Sequence, residues 1–207
     1  MRPQTQDDLE KFHEAVMEAC KTYQPPRHLF GKMDDGFLQY MNGAPEHRYY
    51  HWLALAVRFF QPESILELGT AAGASSIMMY SELPRDTTLI SADIGTNAHF
   101  LPDAIRDDDR TEYITADAND PAIYRRFQED YKRTFDFLFL DTDHVAKDLR
   151  NQLTLVGPLL RPGALVMLDD IHMNDMTEAW DEIPGPKLDI TQDCHPSGFG
   201  VFVWSGK

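Results

Sequence analysis

The spacing of apolar residues along this chain changes period several times, and each change predicts an element. Leu9, Phe12, Val16, Cys20 and Tyr23 recur at helical spacing with charges between them, which predicts a helix over residues 6–23. Pro25-Pro26 ends it. Residues 24–45 carry Gly31, Gly36, Gly43 and Pro45 and read mostly as loop, long for a bare connection; a lid and a disordered surface segment both suit. Pro45 fits the first position of a second helix. Tyr49, Trp52, Leu53, Ala56, Val57 and Phe60 line one face of that helix, and Pro62 breaks it. Tyr49 and Trp52 read either as core packing or as an aromatic wall over an acceptor pocket.

From residue 64 short apolar runs alternate with helical patterns. Ile65 to Leu68 predicts a buried strand, about 74–83 a helix, and Thr88 to Asp93 a second strand. Residues 95–110 give no clear period, and Asp107-Asp108-Asp109 reads as a solvated loop rather than a metal site. Tyr113 to Ala116 predicts a third strand and Pro121 to Tyr131 a helix. Phe135 to Leu140 is an unbroken apolar run, as expected of a central parallel strand buried on both faces. The next helix has Val145, Leu149, Leu153, Val156 and Leu160 on its inner face, with Arg161-Pro162-Gly163 as a stop. Ala164 to Leu168 predicts a fifth strand, and a helix with Met176, Trp180 and Ile183 follows. Two final strands, about 187–192 and 198–204, are joined by a turn with Pro196 and Gly198, which demands antiparallel pairing. Such alternation is that of an α/β, doubly wound, mostly parallel sheet.

Composition narrows the partners. A chain of 207 residues, 43% hydrophobic, suits one large domain or a core with a short appendage. A net charge of −15 argues against nucleic acid and against an anionic membrane surface. No apolar run approaches the roughly 20 residues of a membrane span. Met1 to Glu10 is polar and acidic, unlike a signal peptide. Cys20 and Cys194 lack short metal spacing, so a reducing cytoplasm is the expected location.

Candidate chemistry gathers at the ends of the predicted strands. Glu67, Gly69, Thr70, Gly73, Ser75 and Ser76 form a strand, a tight loop and a helix start, whose unpaired N–H groups and hydroxyls would suit a carboxylate. The spacing is E-x-G-x-x-x-G, not the dinucleotide fingerprint G-x-G-x-x-G, and a purely structural glycine loop is the alternative. Asp93 ends the second strand beside that loop, placed to bind ribose hydroxyls or to sit in a surface turn. Asp117-Ala118-Asn119-Asp120 follows the third strand, and there Asp120 is a plausible helix cap. Asp141, Asp169 and Asp170 end the fourth and fifth strands and converge if these are neighbours. Three clustered carboxylates repel one another unless a positive charge sits among them, and a hard divalent cation, Mg²⁺ or Ca²⁺, answers this. Otherwise Asp141 lies near a cofactor ammonium while Asp169 or Asp170 caps the next helix.

The glycine loop resembles the first motif of class I S-adenosylmethionine-dependent methyltransferases, and E-L-G-T-x-x-G-x-S resembles the small O-methyltransferases. L-x-P-G-x-L-V-x-x-D-D looks like the family's strand after the catalytic one. The resemblance runs from about Pro62 to Trp204, so residues 1–60 are expected to be an N-terminal helical cap or lid and 61–207 the cofactor-binding domain. It implies a Rossmann-like seven-stranded sheet in the order 3-2-1-4-5-7-6 with an antiparallel last strand. It implies S-adenosylmethionine held by Glu67, Gly69, Thr70, Gly73, Ser75, Asp93, Asp117, Ala118 and Asp141. Metal-dependent members of the catechol, caffeoyl-coenzyme A and macrolide-sugar types place a divalent metal on positions that match Asp141, Asp169 and Asp170. His144 stands where such enzymes carry a lysine or histidine base, and Asp143 competes for that role or orients it. Strand alternation puts Asp143 on the side of Asp141. The expected reaction is methyl transfer to a hydroxyl of a small molecule, by a protein that is possible as a homodimer. A metal-independent methyltransferase, a nicotinamide-dependent oxidoreductase and a non-catalytic cofactor-binding module are the competing readings.

Overall fold

The computed structural model describes residues 1–30, 41, 44–95, 101–131 and 134–206. Its strands are β1 Ser64–Leu68, β2 Thr88–Asp93, β3 Thr111–Thr115, β4 Phe135–Leu140, β5 Leu160–Asp169, β6 Lys187–Asp189 and β7 Phe199–Val203. They form one sheet in the order β3-β2-β1-β4-β5-β7-β6. The first five run parallel, and β7 is antiparallel to both β5 and β6. This is the Rossmann-like sheet with an antiparallel last strand that the sequence predicts.

The described α-helices are α1 Gln6–Cys20, α2 Tyr49–Phe60, α3 Ala74–Ser81, α4 Asp103–Arg106, α5 Pro121–Tyr131, α6 Ala146–Val156, α7 Met176–Glu182 and α8 Thr191–Cys194. They cover both faces. Leu9, Phe12, Val16, Trp52 and Ile77 share one core with Ile65, Phe137, Phe139, Met167 and Phe199. Leu149, Val156, Ala179 and Trp180 share the other with Leu66, Leu68, Leu138, Val166 and Leu168. The strict alternation of Ile65 against Leu66 and Leu68 follows from the two-residue period of a strand. The start of α1 is fixed by a capping box in which the Thr5 and Asp8 side chains each accept from the other's backbone N–H. Among the described residues no helix is long and apolar enough to cross a membrane.

Several boundaries differ from the sequence reading, each for a local reason. The first helix stops at Cys20, and Tyr23 turns back to set its hydroxyl 2.9 Å from Ser81 Oγ. Pro45 opens a 3₁₀ turn, Pro45–His47, ahead of α2. Val145 caps α6 rather than lying on it. Arg161-Pro162-Gly163 does not stop the chain before a strand. It lies within β5, where the register with β4 shifts, so Leu160 pairs with Phe135. The predicted strand over 187–192 is cut short at Asp189. Its carboxylate accepts from the Thr191 N–H (3.0 Å) and hydroxyl (2.5 Å), which turns the chain into α8. Asp108 spends its carboxylate on Arg110 and Tyr80. Of the loop read over 24–45, residues 31–40, 42 and 43 lie outside the described residues, as do 96–100 of the unreadable stretch.

Register decides where the chemistry falls. Leu68 pairs with Ala92 on one side and Leu140 on the other, and Leu140 pairs with Leu168. The residues that follow these, Gly69, Asp93, Asp141 and Asp169, therefore stand in a row at the carboxyl edge of the sheet.

Candidate active site at the carboxyl edge of the sheet

One half of that edge is the loop from β1 to α3. Gly69 has φ +102°, and a Cβ there would meet the Asp141 carbonyl oxygen at 1.7 Å, so no larger residue fits. Its N–H donates to the Ala92 carbonyl (2.8 Å). Gly73 precedes α3, and no side chain caps that helix, which leaves its first N–H groups available to a ligand. Glu67 is 0% exposed. It accepts hydrogen bonds from the hydroxyls of Ser75, Ser76 and Ser91, the last at 2.5 Å. Burial pushes its carboxyl up to about 7, against the pull of these three hydroxyls. Thr70 Oγ1 lies 2.6 Å from Ser91 Oγ and extends the network. Asp93 accepts from the N–H groups of Ala71 (2.8 Å) and Gly95 (2.6 Å), which fastens the glycine loop to the end of β2. Ala71 adopts a left-handed backbone, φ +43°, to make that bond. Beyond β3, Asp117 accepts from the Asn119 N–H (2.7 Å), Ala118 accepts through its carbonyl from the Tyr124 hydroxyl (2.6 Å), and Asp120 accepts from the Ala122 N–H (2.8 Å).

The other half lies at the ends of β4 and β5. Asp169 and Asp170 are buried, 4% and 6% exposed. Neither Oδ1 atom has a hydrogen-bond partner. Burial, with Asp141 and Asp170 as neighbouring charges, pushes the Asp169 carboxyl well above the usual range. Burial also acts upward on Asp170, but His195, Ser197 and His144 outweigh it and the net shift is downward. His144 Nε2 lies 3.0 Å from Asp141 Oδ1 and 3.3 Å from Asp170 Oδ2. The Asp141 hydrogen bond raises the pKa of this ring against the effect of burial. His195 Nε2 lies 3.2 Å from Asp170 Oδ1 and 3.8 Å from Asp169 Oδ1. Ligand atoms of Asp169, Asp170 and His195 all fall within 4.8 Å of one another, and Asp141 joins this group through the His144 ring. His144 (φ +49°), Asp170 (φ +54°) and Asn174 (φ +50°) are all left-handed, and the Asn174 amide donates to the His144 carbonyl (3.0 Å). Such strain is held only where surrounding structure over-determines it, and it concentrates at functional sites. Tyr49 stacks on Tyr50 at 4.1 Å and lies 4.7 Å from the His195 ring. Burial and the charge of Asp169 raise the Tyr49 phenol far above its ordinary value.

A family model described as a methyltransferase domain matches residues 66–171, half of the chain, from β1 through the end of β5. The chain belongs to the methyltransferase domain family. With its sheet order, it is a class I, S-adenosylmethionine-dependent methyltransferase. No curated protein matches the sequence. Solved structures share the fold. The O-methyltransferase TomG from Streptomyces achromogenes, solved with S-adenosylmethionine, is 19% identical, with 99% of this chain and 100% of that one covered and a TM-score of 0.62. The Podospora anserina methyltransferase PaMTH1, bound to S-adenosylhomocysteine, is 15% identical over 95% and 96% of the two chains, TM-score 0.62. MycE from the mycinamycin biosynthetic pathway, solved with Mg and S-adenosylhomocysteine, is 22% identical over 68% of this chain and 38% of its own, TM-score 0.50.

In this methyltransferase the residues singled out in the sequence fall into two sets. Gly69, Gly73, Asp93, Asp117 and Ala118 border the loops after β1, β2 and β3. Glu67, Thr70 and Ser75 belong to the buried hydroxyl network behind them, and the carboxylate that Ser75 and Ser76 meet is the chain's own Glu67. Trp52 is wholly buried, with Nε1 donating to His13 Nδ1 (3.1 Å), so it is core, while Tyr49 faces the carboxylates. Asp143 is exposed. Alternation placed it beside Asp141, but β4 ends at Leu140, and the left-handed turn at His144 brings the imidazole back to Asp141 instead. His195, Tyr50 and Ser91 were not among the site residues read from the sequence.

Proposed function

We propose that this methyltransferase moves a methyl group from S-adenosylmethionine to a hydroxyl of a small molecule, with a divalent cation on Asp169, Asp170 and Asp141. The observation that carries this reading is the pair of buried, unpartnered carboxylate oxygens on Asp169 and Asp170, two strands from the glycine loop with β4 between. Buried carboxylates left without partners are costly, and a cation is the group that answers them. The glycine loop fits the cofactor: it brings the backbone close to the edge of β4 and opens the uncapped start of α3.

The chain's own residues would act as follows. Asp93 would accept hydrogen bonds from ribose hydroxyls, and the first N–H groups of α3 would hold a carboxylate. The Asp117-Ala118 turn would border the adenine. Asp141 stands between the two halves and would serve both the cofactor's methionine end and the cation. S-adenosylmethionine supplies an electrophilic methyl group on sulfur, and a bound divalent cation acidifies a hydroxyl. His144 would take the hydroxyl proton as the oxygen accepts the methyl group, its Nε2 being released from Asp141 once a cation claims that carboxylate, with Asp143 a charge nearby. Holding both reactants in line supplies much of the remaining acceleration. Tyr49 and Tyr50 would form an aromatic wall on the acceptor side.

Two measurements test this. Calorimetry should show S-adenosylhomocysteine binding and no response to NAD. Methyl transfer to a panel of catechol, sugar and polyketide hydroxyls should stop in excess chelator and return with added divalent metal. Full turnover in chelator refutes the cation and leaves a metal-independent methyltransferase; NAD binding without S-adenosylhomocysteine binding refutes the donor.

A further inference from the structure

We propose that His195 is a direct ligand of the cation, through Nε2, and that this methyltransferase therefore selects a divalent transition ion such as Fe²⁺, Ni²⁺ or Zn²⁺ over Mg²⁺ or Ca²⁺. The inference rests on the cation reading above and changes its chemistry from an all-oxygen site to a mixed one.

The ring is set for that role. His195 Nδ1 lies 3.0 Å from the Glu46 carbonyl oxygen. A carbonyl only accepts, so Nδ1 carries the proton and the lone pair of the neutral ring is on Nε2. A ring N–H spent on a backbone carbonyl is the usual way a metal-binding histidine is oriented. Nε2 then faces Asp170 Oδ1 at 3.2 Å and Asp169 Oδ1 at 3.8 Å. All three atoms carry lone pairs, and both oxygens are buried without a hydrogen-bond partner. A proton can bridge two such atoms; a cation answers three. Ser197 Oγ also lies 3.0 Å from Nε2, but a hydroxyl rotates and can yield that position to a cation.

The segment that carries His195 is held in place from the N-terminal side. The Arg48 guanidinium donates to the Asp193 carbonyl (3.2 Å), and the Asp193 carboxylate lies 3.0 Å from His13 Nε2. Tyr49 covers one side of the imidazole, ring to ring at 4.7 Å. A ring fixed by Glu46 and Tyr49, on a segment held by Arg48 and His13, is preorganised for a ligand. Imidazole nitrogen favours Fe, Ni, Cu and Zn, whereas Mg²⁺ and Ca²⁺ prefer oxygen alone, so one nitrogen added to the carboxylate oxygens tilts the site toward the transition ions.

Pulsed electron paramagnetic resonance of the full chain loaded with Mn²⁺ tests this, because a directly bound imidazole nitrogen modulates the manganese echo. Modulation should be present in the wild type and in His144→Ala and absent in His195→Ala. His195→Asn, whose amide can keep the bond to Glu46, should lose it as well, with S-adenosylhomocysteine binding retained as proof of folding. The ratio of Ni²⁺ to Mg²⁺ affinity should fall about tenfold or more in both His195 variants. A purely structural role for His195 would weaken both metals alike and leave the ratio unchanged. Modulation that survives in His195→Ala and vanishes in His144→Ala gives the ligand role to His144 and overturns the proposal. Mn²⁺ bound tightly without modulation in the wild type overturns it while sparing the cation reading. Failure of Mn²⁺ to bind, or equal binding by an Asp169→Asn/Asp170→Asn double variant, removes both.

Discussion

The two halves of the carboxyl edge hold their acids in opposite ways. At β1 and β2, Glu67 takes three hydroxyl donors and Asp93 takes two backbone N–H groups. At β5, Asp169 and Asp170 are buried as well, 4% and 6% exposed, yet each leaves an oxygen without a donor. A satisfied buried carboxylate shapes the protein around it. An unsatisfied one is a cost that the fold carries until something positive arrives. The half at β1 and β2 is thus a finished frame for the glycine loop, and the half at β4 and β5 is left with unsatisfied charge.

The sharpest way to break this contrast is to remove charge from the open half. Asp169→Asn should lower turnover by about 10³-fold or more, the scale of several kcal/mol of lost charge stabilisation. The affinity for S-adenosylhomocysteine, measured by calorimetry, should stay within a few-fold. A parallel loss of both would mean that the two halves are one site and the comparison is false. His144→Ala comes next. Loss of the proton acceptor should cost about 10²-fold in turnover, again with cofactor affinity spared. Near-native turnover in His144→Ala beside a dead Asp143→Asn would give the role to Asp143. On the finished half, Asp93→Ala should weaken S-adenosylhomocysteine by about 10- to 100-fold, the worth of hydrogen bonds to a charged carboxylate. An unchanged dissociation constant would mean that Asp93 serves only the Ala71 and Gly95 amides.

How much of this was legible in the sequence follows the same division. Acids at strand ends can be read, because a parallel sheet aligns the ends of its strands and the runs before Asp93, Asp141 and Asp169 are unambiguous strands. Sheet order followed from the family resemblance and the antiparallel link from the short turn before Phe199. What could not be read are contacts made by the return of distant chain. His195 sits in a short polar stretch with no period, and its ring is set by the Glu46 carbonyl, 149 positions away in sequence. The signal available was weak: a histidine in the connection entering β7, the strand that pairs with β5. Ser91 was hidden for another reason. β2 is buried on both faces, so inside and outside cannot be told apart by alternation, and only the fold shows that its hydroxyl meets Glu67. Asp143 was placed beside Asp141 by strand alternation, whereas the left-handed residue His144 turns its own ring there instead.

The last effect is read in stability rather than in turnover or binding; it belongs to Glu67, and it probes whether the finished half is as settled as its hydrogen bonds suggest. Burial raises this carboxyl from 4.5 to about 7. A group bound more tightly to its proton in the folded state than in the unfolded one makes stability fall as pH rises. The contribution is complete below the unfolded value and is lost as the pH climbs through the folded one. Between about pH 4.5 and 7.5 the wild type should therefore lose on the order of 3 kcal/mol through Glu67, an upper figure from the size of the shift. Glu67→Gln cannot titrate, and its amide still offers one acceptor to the serine hydroxyls. Urea midpoints of the two proteins across that window should converge or cross as pH rises, the variant being relatively better at the alkaline end. If the two curves run parallel, Glu67 keeps an ordinary pKa, the three hydroxyls fully offset its burial, and the half at β1 and β2 carries no electrostatic cost at all.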